Sequence, residues 1–143
     1  MVKLIFFLLI VGSLYANNFQ RNHNLKVVID KKNNLMWQDD ISVIKIKKTH
    51  EQAPIYCQNL KHAGFFNWRI PDIEEFKLIV DKKNELNYIN RAFRYNVPDG
   101  YWANKAHWRT LWYYADYMHF ISGTAYFDSR HKKKYIRCIR DTK

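Results

Sequence analysis

Alternating apolar and polar positions mark the first structured stretch of the chain. Residues 25–30 alternate in this way, the polar run 31–34 follows, and Leu35, Met36 and Trp37 then form a second apolar run. Alternation is typical of a half-buried strand, and a polar run between two such stretches is typical of a turn. The pattern therefore predicts a β-hairpin.

Two later stretches have the spacing of an amphipathic helix. In the first, Ala53, Tyr56, Cys57 and Leu60 share one face, and Pro54 restricts the start to about Glu51 because proline is tolerated only in a first turn. The second begins at Asp72, with Glu75 in capping-box spacing and an apolar stripe of Ile73, Phe76, Ile79 and Val80. Cys57 is thus expected on a buried helix face.

Aromatic and β-branched residues dominate from Tyr101 onward. Turn signals at 122–123 and 129–134 divide this region, which favours several short antiparallel strands, the last from Tyr135 to Arg140. A long loop is expected over residues 84–100. The order of strands, two helices and strands predicts the α+β class.

The first sixteen residues have the features of a secretory signal. Lys3 supplies the positive charge, and residues 4–11 form the apolar core. Residues 13–16 resemble the small-residue cleavage site of a signal peptide, so cleavage is expected after Ala16. An uncleaved signal anchor is the alternative. Cleavage leaves a single domain over residues 17–143, and no transmembrane segment is expected after it.

The charge balance favours acidic partners. The 143 residues include 24 Lys and Arg but only 13 Asp and Glu, a formal net charge of +11. Removing the signal deletes Lys3 and leaves +10, more than solubility requires.

Cys57 and Cys138 are the only cysteines in the chain. In an exported protein an even pair favours a disulfide over a reactive thiol or half a metal site. Closing a loop of about 80 residues would stabilise the fold by roughly 4–5 kcal/mol in the loop-entropy model.

Several motifs resemble the Lcl C-terminal domain family, which is named after the C-terminal domain of a bacterial collagen-like adhesin. The most specific are Trp68-Arg69-Ile70-Pro71 and Tyr135-x-Arg137-Cys138-Ile139-Arg140. The others are Leu35-Met36-Trp37-Gln38-Asp39, Ala53-x-x-Tyr56-Cys57-x-x-Leu60, Gly64, Glu74-Glu75-Phe76, Tyr101-Trp102 and Trp112. They follow the family's order over nearly the whole mature chain.

The resemblance implies a C-type-lectin-like fold in which two helices pack on small antiparallel sheets and the disulfide joins the first helix to the final strand. It also implies export to the periplasm or cell surface and binding of sulfated, anionic polysaccharides. The family pattern makes Trp37, Trp68, Trp102 and Trp112 structural. No collagen-like Gly-x-y repeat is present, so a trimeric stalk does not carry over. The oligomeric state stays open, with a trimer allowed by the resemblance.

Basic side chains near the chain end are the candidate ligand contacts, since clusters of Lys and Arg bind sulfate or phosphate through charge-assisted hydrogen bonds. A solvated turn is the alternative for the same cluster. The candidate ligand-binding residues are Arg130, Lys132, Lys133, Lys134, Arg137 and Trp108. Tyr113 and Tyr117 are further aromatic candidates.

Other chemistries find little support in the motifs. The calcium-binding loops of C-type lectins are missing, the six histidines lack zinc spacing, and no nucleophile elbow occurs. No nucleic-acid module appears, which disfavours nucleic acid as the main ligand. We therefore expect no metal, cofactor or catalytic residue.

The leading hypothesis is an exported, non-catalytic domain that binds anionic glycans or other acidic envelope components. The alternative is a periplasmic assembly module that binds an acidic protein surface.

Overall fold

Residues 17–143 are described by a computed structural model of the chain. The predicted signal, residues 1–16, lies outside this part, so its cleavage and the boundary at residue 17 stay predictions. The strands are β1 (Phe19–Asn22), β2 (Val27–Asp30), β3 (Leu35–Gln38), β4 (Lys47–Lys48), β5 (Gly100–Ala106), β6 (Tyr114–His119), β7 (Thr124–Ser129), β8 (Lys134–Tyr135) and β9 (Ile139–Asp141); the helices are α1 (Gln52–Gln58) and α2 (Ile73–Ile79). Neither helix in this part has the length and apolarity that a membrane span requires.

The predicted hairpin is confirmed as β2 and β3, which pair antiparallel with Val28 opposite Trp37. Its turn is held by Asp30, whose Oδ1 accepts from the backbone N–H groups of Lys32 and Asn33 at 3.1 Å each. The hairpin lies inside a four-stranded antiparallel sheet of order β1-β2-β3-β9. Strand β1 was not predicted because Phe19 is its only apolar residue.

Reciprocal bonds between side chain and backbone lie just before α1 and form a capping box at the start of α2. Thr49 and Gln52 each accept a hydrogen bond from the other's backbone N–H, at 3.4 and 3.3 Å. At α2, Asp72 accepts from Glu75 N at 2.7 Å and Glu75 accepts from Asp72 N at 3.0 Å. Cys57 is fully buried on α1, which confirms the predicted helix face.

The second sheet is five-stranded and mixed, with order β4-β8-β5-β6-β7. Strands β5, β6 and β7 form an antiparallel meander, and β8 lies parallel to β5. The turn between β6 and β7 needs glycine at residue 123, where φ is +64° and a Cβ would lie 2.7 Å from Val80 Cγ1.

The prediction of one strand from Tyr135 to Arg140 was wrong. The segment is divided between β8 in the larger sheet and β9 in the smaller, and residues 136–138 cross between the sheets, fully buried. A crossing segment enclosed on all sides has the same apolar pattern as a buried strand, so the sequence did not distinguish them.

Two apolar clusters fill the interior, one on each side of the larger sheet. The first includes Trp37, Phe76, Tyr101 and Met118, and the second includes Trp68, Trp102, Ile136 and the two cysteines. The disulfide joins Cys57 of α1 to Cys138 beside β9, with the two Cα atoms 5.6 Å apart. The α+β class, two helices and disulfide are confirmed; the C-type-lectin-like topology stays a prediction.

Replacing Cys138 with serine should destabilise the fold. The native bridge closes a loop between residues 81 positions apart, and removing it should lower the free energy of unfolding by roughly 4–5 kcal/mol in the loop-entropy model. Urea titration followed by tryptophan fluorescence measures the difference. Chemically reduced wild-type protein is the matched control, and equal midpoints for oxidised wild type and variant would contradict the prediction.

Candidate functional site

Arg137 lies in the interior, so its predicted role as a surface ligand contact needs correction. Its side chain is completely buried and donates to Gln38 O at 2.7 Å, to the carbonyl of Tyr95 and to Asp39 Oδ1 at 3.2 Å. Burial lowers the pKa of Arg137 to about 10, which still leaves it charged at neutral pH. A guanidinium occupied in this way holds the core together and is not available to a soluble ligand.

Asp39 is the anion at the centre of this buried group. Its carboxylate also pairs with Arg21 and accepts from the backbone N–H groups of Arg94 and Tyr95, at 2.9 and 3.1 Å. The side chains of Asp39 and Arg21 are 0% and 8% exposed. Because a buried charge is tolerated only when it is paired and hydrogen-bonded, these contacts fix β1, β3 and the loop 93–97 against one another.

Lys132 and Lys134 both bind Asp128, with Nζ to carboxylate distances of 3.0 and 2.9 Å. Lys134 is only 13% exposed, and its ammonium lies 3.9 Å from the centroid of the Tyr117 ring. Partial burial alone would raise the pKa of Asp128, but the hydrogen bonds from Lys134 and Lys132 hold it below its ordinary value. Lys134 is thus a packing residue, whereas Lys132 is 64% exposed and retains access to solvent.

Arg130 connects the final turn to two other parts of the molecule. Its Nε donates to His50 Nδ1 at 3.1 Å, and its Nη1 donates to Trp112 O at 3.2 Å. The backbone of Arg130 also accepts from His50 N and donates to Tyr113 O, both at 3.0 Å. The half-buried guanidinium therefore has a fixed position beside the loop 107–113.

That loop forms a small pocket of about 280 Å³ beside β5. Its lining residues are Lys105, His107, Trp108 and Arg109, and the carboxylate of Asp116 in β6 binds the Nε2 of His107. Trp108 is 65% exposed, with the Arg109 guanidinium 5.5 Å from its ring centroid. The pocket thus offers the positively charged side chains of Lys105 and Arg109 and the exposed indole ring of Trp108.

Trp112 corrects a second prediction, because the structure leaves it 56% exposed although the family pattern suggested a core residue. Trp37, Trp68 and Trp102 are buried as predicted. Leu111 and Trp112 have φ values of +52° and +56°, so Trp112 lies in a tight turn with left-handed backbone. Tyr113, 49% exposed, packs edge-on against His131.

These side chains form one region that we call the cationic-aromatic surface. It comprises Lys105, Trp108, Arg109, Trp112, Tyr113, Arg130 and Lys133. A backbone hydrogen bond from Trp112 N to His107 O and a side-chain hydrogen bond from Arg130 Nη1 to Trp112 O connect the two segments that carry this surface. Lys133 lies on the exposed turn that follows Arg130.

The four Lys and Arg side chains of this surface have no ion-pair partner among residues 17–143. They are Lys105, Arg109, Arg130 and Lys133. Each salt bridge in that part involves other basic side chains, including Lys132 and Lys134. The charge is therefore uncompensated locally. Within the same part, no three His, Cys, Asp or Glu side chains are grouped so as to hold a metal ion.

Of the residues on this surface, the sequence predicted Trp108, Tyr113, Arg130 and Lys133 as candidate contacts and did not single out Lys105 or Arg109. Both are single basic residues among the aromatic residues 101–114, and neither belongs to a run of positive charge. Interleaving of cationic and aromatic residues was the available signal.

The family model of the Lcl C-terminal domain matches residues 26–140, which confirms the resemblance found in the motifs. The match includes α1, α2, every strand of the larger sheet and both cysteines. No curated protein and no solved structure matches the chain. The matched family is associated with adhesins, and the match indicates no catalytic family; together with the disulfide it favours export.

Replacing Asp39 with asparagine should strongly destabilise the protein, because Arg21 and Arg137 would remain buried without an anion. Breaking a buried pair from one side costs about 3–5 kcal/mol. The matched control is Asp141→Asn, which removes a carboxylate that is 64% exposed and should cost at most about 1 kcal/mol. Urea unfolding measures both, and similar losses in the two variants would contradict the central role of Asp39.

Acidification should destabilise the fold through His50, which is 4% exposed. Burial, aided by the charge of Arg130, lowers the pKa of His50, although hydrogen bonding to Ala103 O at 2.8 Å opposes the shift. The unfolded state therefore binds more protons below its pKa of about 6.5, so the stability due to neutral His50 is complete above that pH and is lost as pH falls.

Unfolding free energies between about pH 7.5 and about pH 5 measure this loss, in a range above the titration of ordinary carboxylates. The His50→Gln variant is the control, since an amide can donate to Ala103 O and does not titrate. Its stability should change less over this range. Identical pH profiles for the variant and wild type would exclude His50 as the cause.

Proposed function

We propose that this chain, which belongs to the Lcl C-terminal domain family, is an exported, non-catalytic domain that binds anionic polysaccharides at its cationic-aromatic surface. The observation that carries the proposal is the combination of cations without carboxylate partners and exposed indole and phenol rings. Exposed apolar rings beside uncompensated charge are typical of binding surfaces. Either the periplasm or the cell surface would bring such a domain into contact with acidic glycans.

The pocket beside Trp108 suits one acidic sugar unit. Lys105 and Arg109 would bind a sulfate or carboxylate group by charge-assisted hydrogen bonds, while a sugar ring packs on the exposed indole. Trp112 and Tyr113 continue the aromatic surface towards Arg130. A polymer could therefore extend from the pocket to the turn at Lys133 and meet positive charge at both ends.

The rigidity of this surface supports binding that depends on the geometry of the ligand, rather than non-specific electrostatic attraction of any polyanion. Arg130 is held by four hydrogen bonds, and the turn that carries Trp112 is closed by bonds to His107 and Trp108 carbonyl groups. Side chains that are already fixed lose less conformational entropy when a ligand binds. Lys132 adds positive charge near this region. Lys134 and Arg137 stabilise the fold and do not contact the ligand in this proposal.

Chromatography on immobilised heparin across a salt series tests the proposal. The double variant Lys105→Gln/Arg109→Gln should elute at clearly lower salt and bind roughly tenfold more weakly, because it loses two charged contacts. The matched control is Lys31→Gln/Lys32→Gln, which removes the same charge from the exposed β2–β3 turn. An uncharged polysaccharide should not retain the wild-type protein.

Equal shifts in the two double variants would show that net charge alone governs retention, which would overturn the proposed site. Elution of the wild type with an unrelated protein of equal charge would have the same meaning and would favour an acidic protein partner. Competition by short DNA as effective as that by heparin oligosaccharides would contradict preference for a glycan.

A further inference from the structure

Strand β7 is an unpaired edge of the larger sheet. Among the described residues it pairs only with β6, through six consecutive residues. In an antiparallel strand alternate residues direct their N–H and C=O groups away from the existing partner, which leaves a template for another strand. Natural edges are usually protected by lysine or proline, and β7 contains neither.

The edge also differs from the rest of the chain in charge. Residues 110–129 contain no Lys or Arg, although the chain has 24. The two acidic residues of the hairpin are satisfied locally, Asp116 by His107 and Asp128 by Lys132 and Lys134. Two strongly basic copies can therefore approach each other along β7 without placing Lys or Arg of the β6–β7 hairpin itself opposite one another.

A cavity of about 590 Å³ adjoins this edge on one sheet face. It is lined by Lys77, Val80, Lys82, Met118, Gly123, Thr124 and Ala125. Met118 lies directly opposite Ala125 in the β6–β7 pair, so both share a face with Phe127, two residues along the strand. Phe127 is 62% exposed. The edge thus carries an open cavity with apolar walls at Val80, Met118 and Ala125 and lysines at its border. Beside it lies the exposed Phe127 ring, which packs within its own copy against Tyr114 and His107.

We infer that a second copy of this chain pairs with β7 in an antiparallel, two-fold symmetric arrangement with Tyr126 on the axis. In that register Phe127 of each copy lies opposite Ala125 of the other, and each phenyl ring covers the other's cavity. On the other face the row of Trp102, Tyr117 and Tyr126, with neighbouring ring centroids 6.1 and 5.9 Å apart, continues across the axis. The five-stranded sheets of the two copies then form one continuous ten-stranded sheet.

Sedimentation equilibrium of the exported, oxidised protein without any polyanion tests this inference. The weight-average mass should rise with concentration to twice that of the monomer. Phe127→Lys should abolish the rise, whereas Ile121→Lys, which charges a 60% exposed apolar residue in the adjacent turn, should not. A monomer at every concentration, or a dimer that persists in Phe127→Lys, would overturn the inference while leaving the polysaccharide proposal intact.

Cysteine cross-linking tests the register separately. Tyr126→Cys should form an intermolecular disulfide under mild oxidation, because residues directly opposite in a β-pair have Cα and Cβ separations that a disulfide can span. Ile121→Cys is the control and should remain monomeric on a non-reducing gel. Cross-linking of the control as readily as of Tyr126→Cys would contradict the proposed axis.

Discussion

The carboxylate of Asp39 is the point at which separate parts of the chain meet. It receives two arginines and two backbone amides from three regions that are distant in sequence: β1, the segment before β9 and the loop 93–97. Two buried guanidinium groups around one carboxylate are stable only while that geometry is complete. The position of the crossing segment 136–138, and hence of the disulfide, depends on this arrangement.

The same constraint shapes the surface. Because the chain crosses from one sheet to the other at Arg137, the preceding turn emerges beside the loop 107–113, where Arg130 binds both His50 and Trp112. A buried, neutral histidine thereby positions a surface arginine. The proposed ligand surface is thus supported from below by packed residues, which gives its aromatic and basic side chains defined places.

The proposed polysaccharide surface and the inferred dimer edge adjoin at His107, which lines the Trp108 pocket and has its ring centroid 5.6 Å from that of Phe127. The first depends on uncompensated positive charge around Trp108, and the second on the lack of positive charge along β7. A symmetric dimer would present two cationic-aromatic surfaces on one assembly. Two linked sites bind a repeating polymer more tightly than one, because the second contact is intramolecular.

The sequence by itself determined the hairpin at residues 27–38, both helices, the order of elements and the family. Each of these depends on local periodicity, on caps between residues three apart or on short motifs. Tertiary structure alone decided that Arg137 is buried, that Trp112 is exposed and that the last predicted strand is divided between two sheets. The physical reason is that these outcomes depend on partners distant in sequence, such as Asp39 for Arg137. Residue type alone does not reveal whether a basic side chain forms a buried ion pair or remains exposed to solvent.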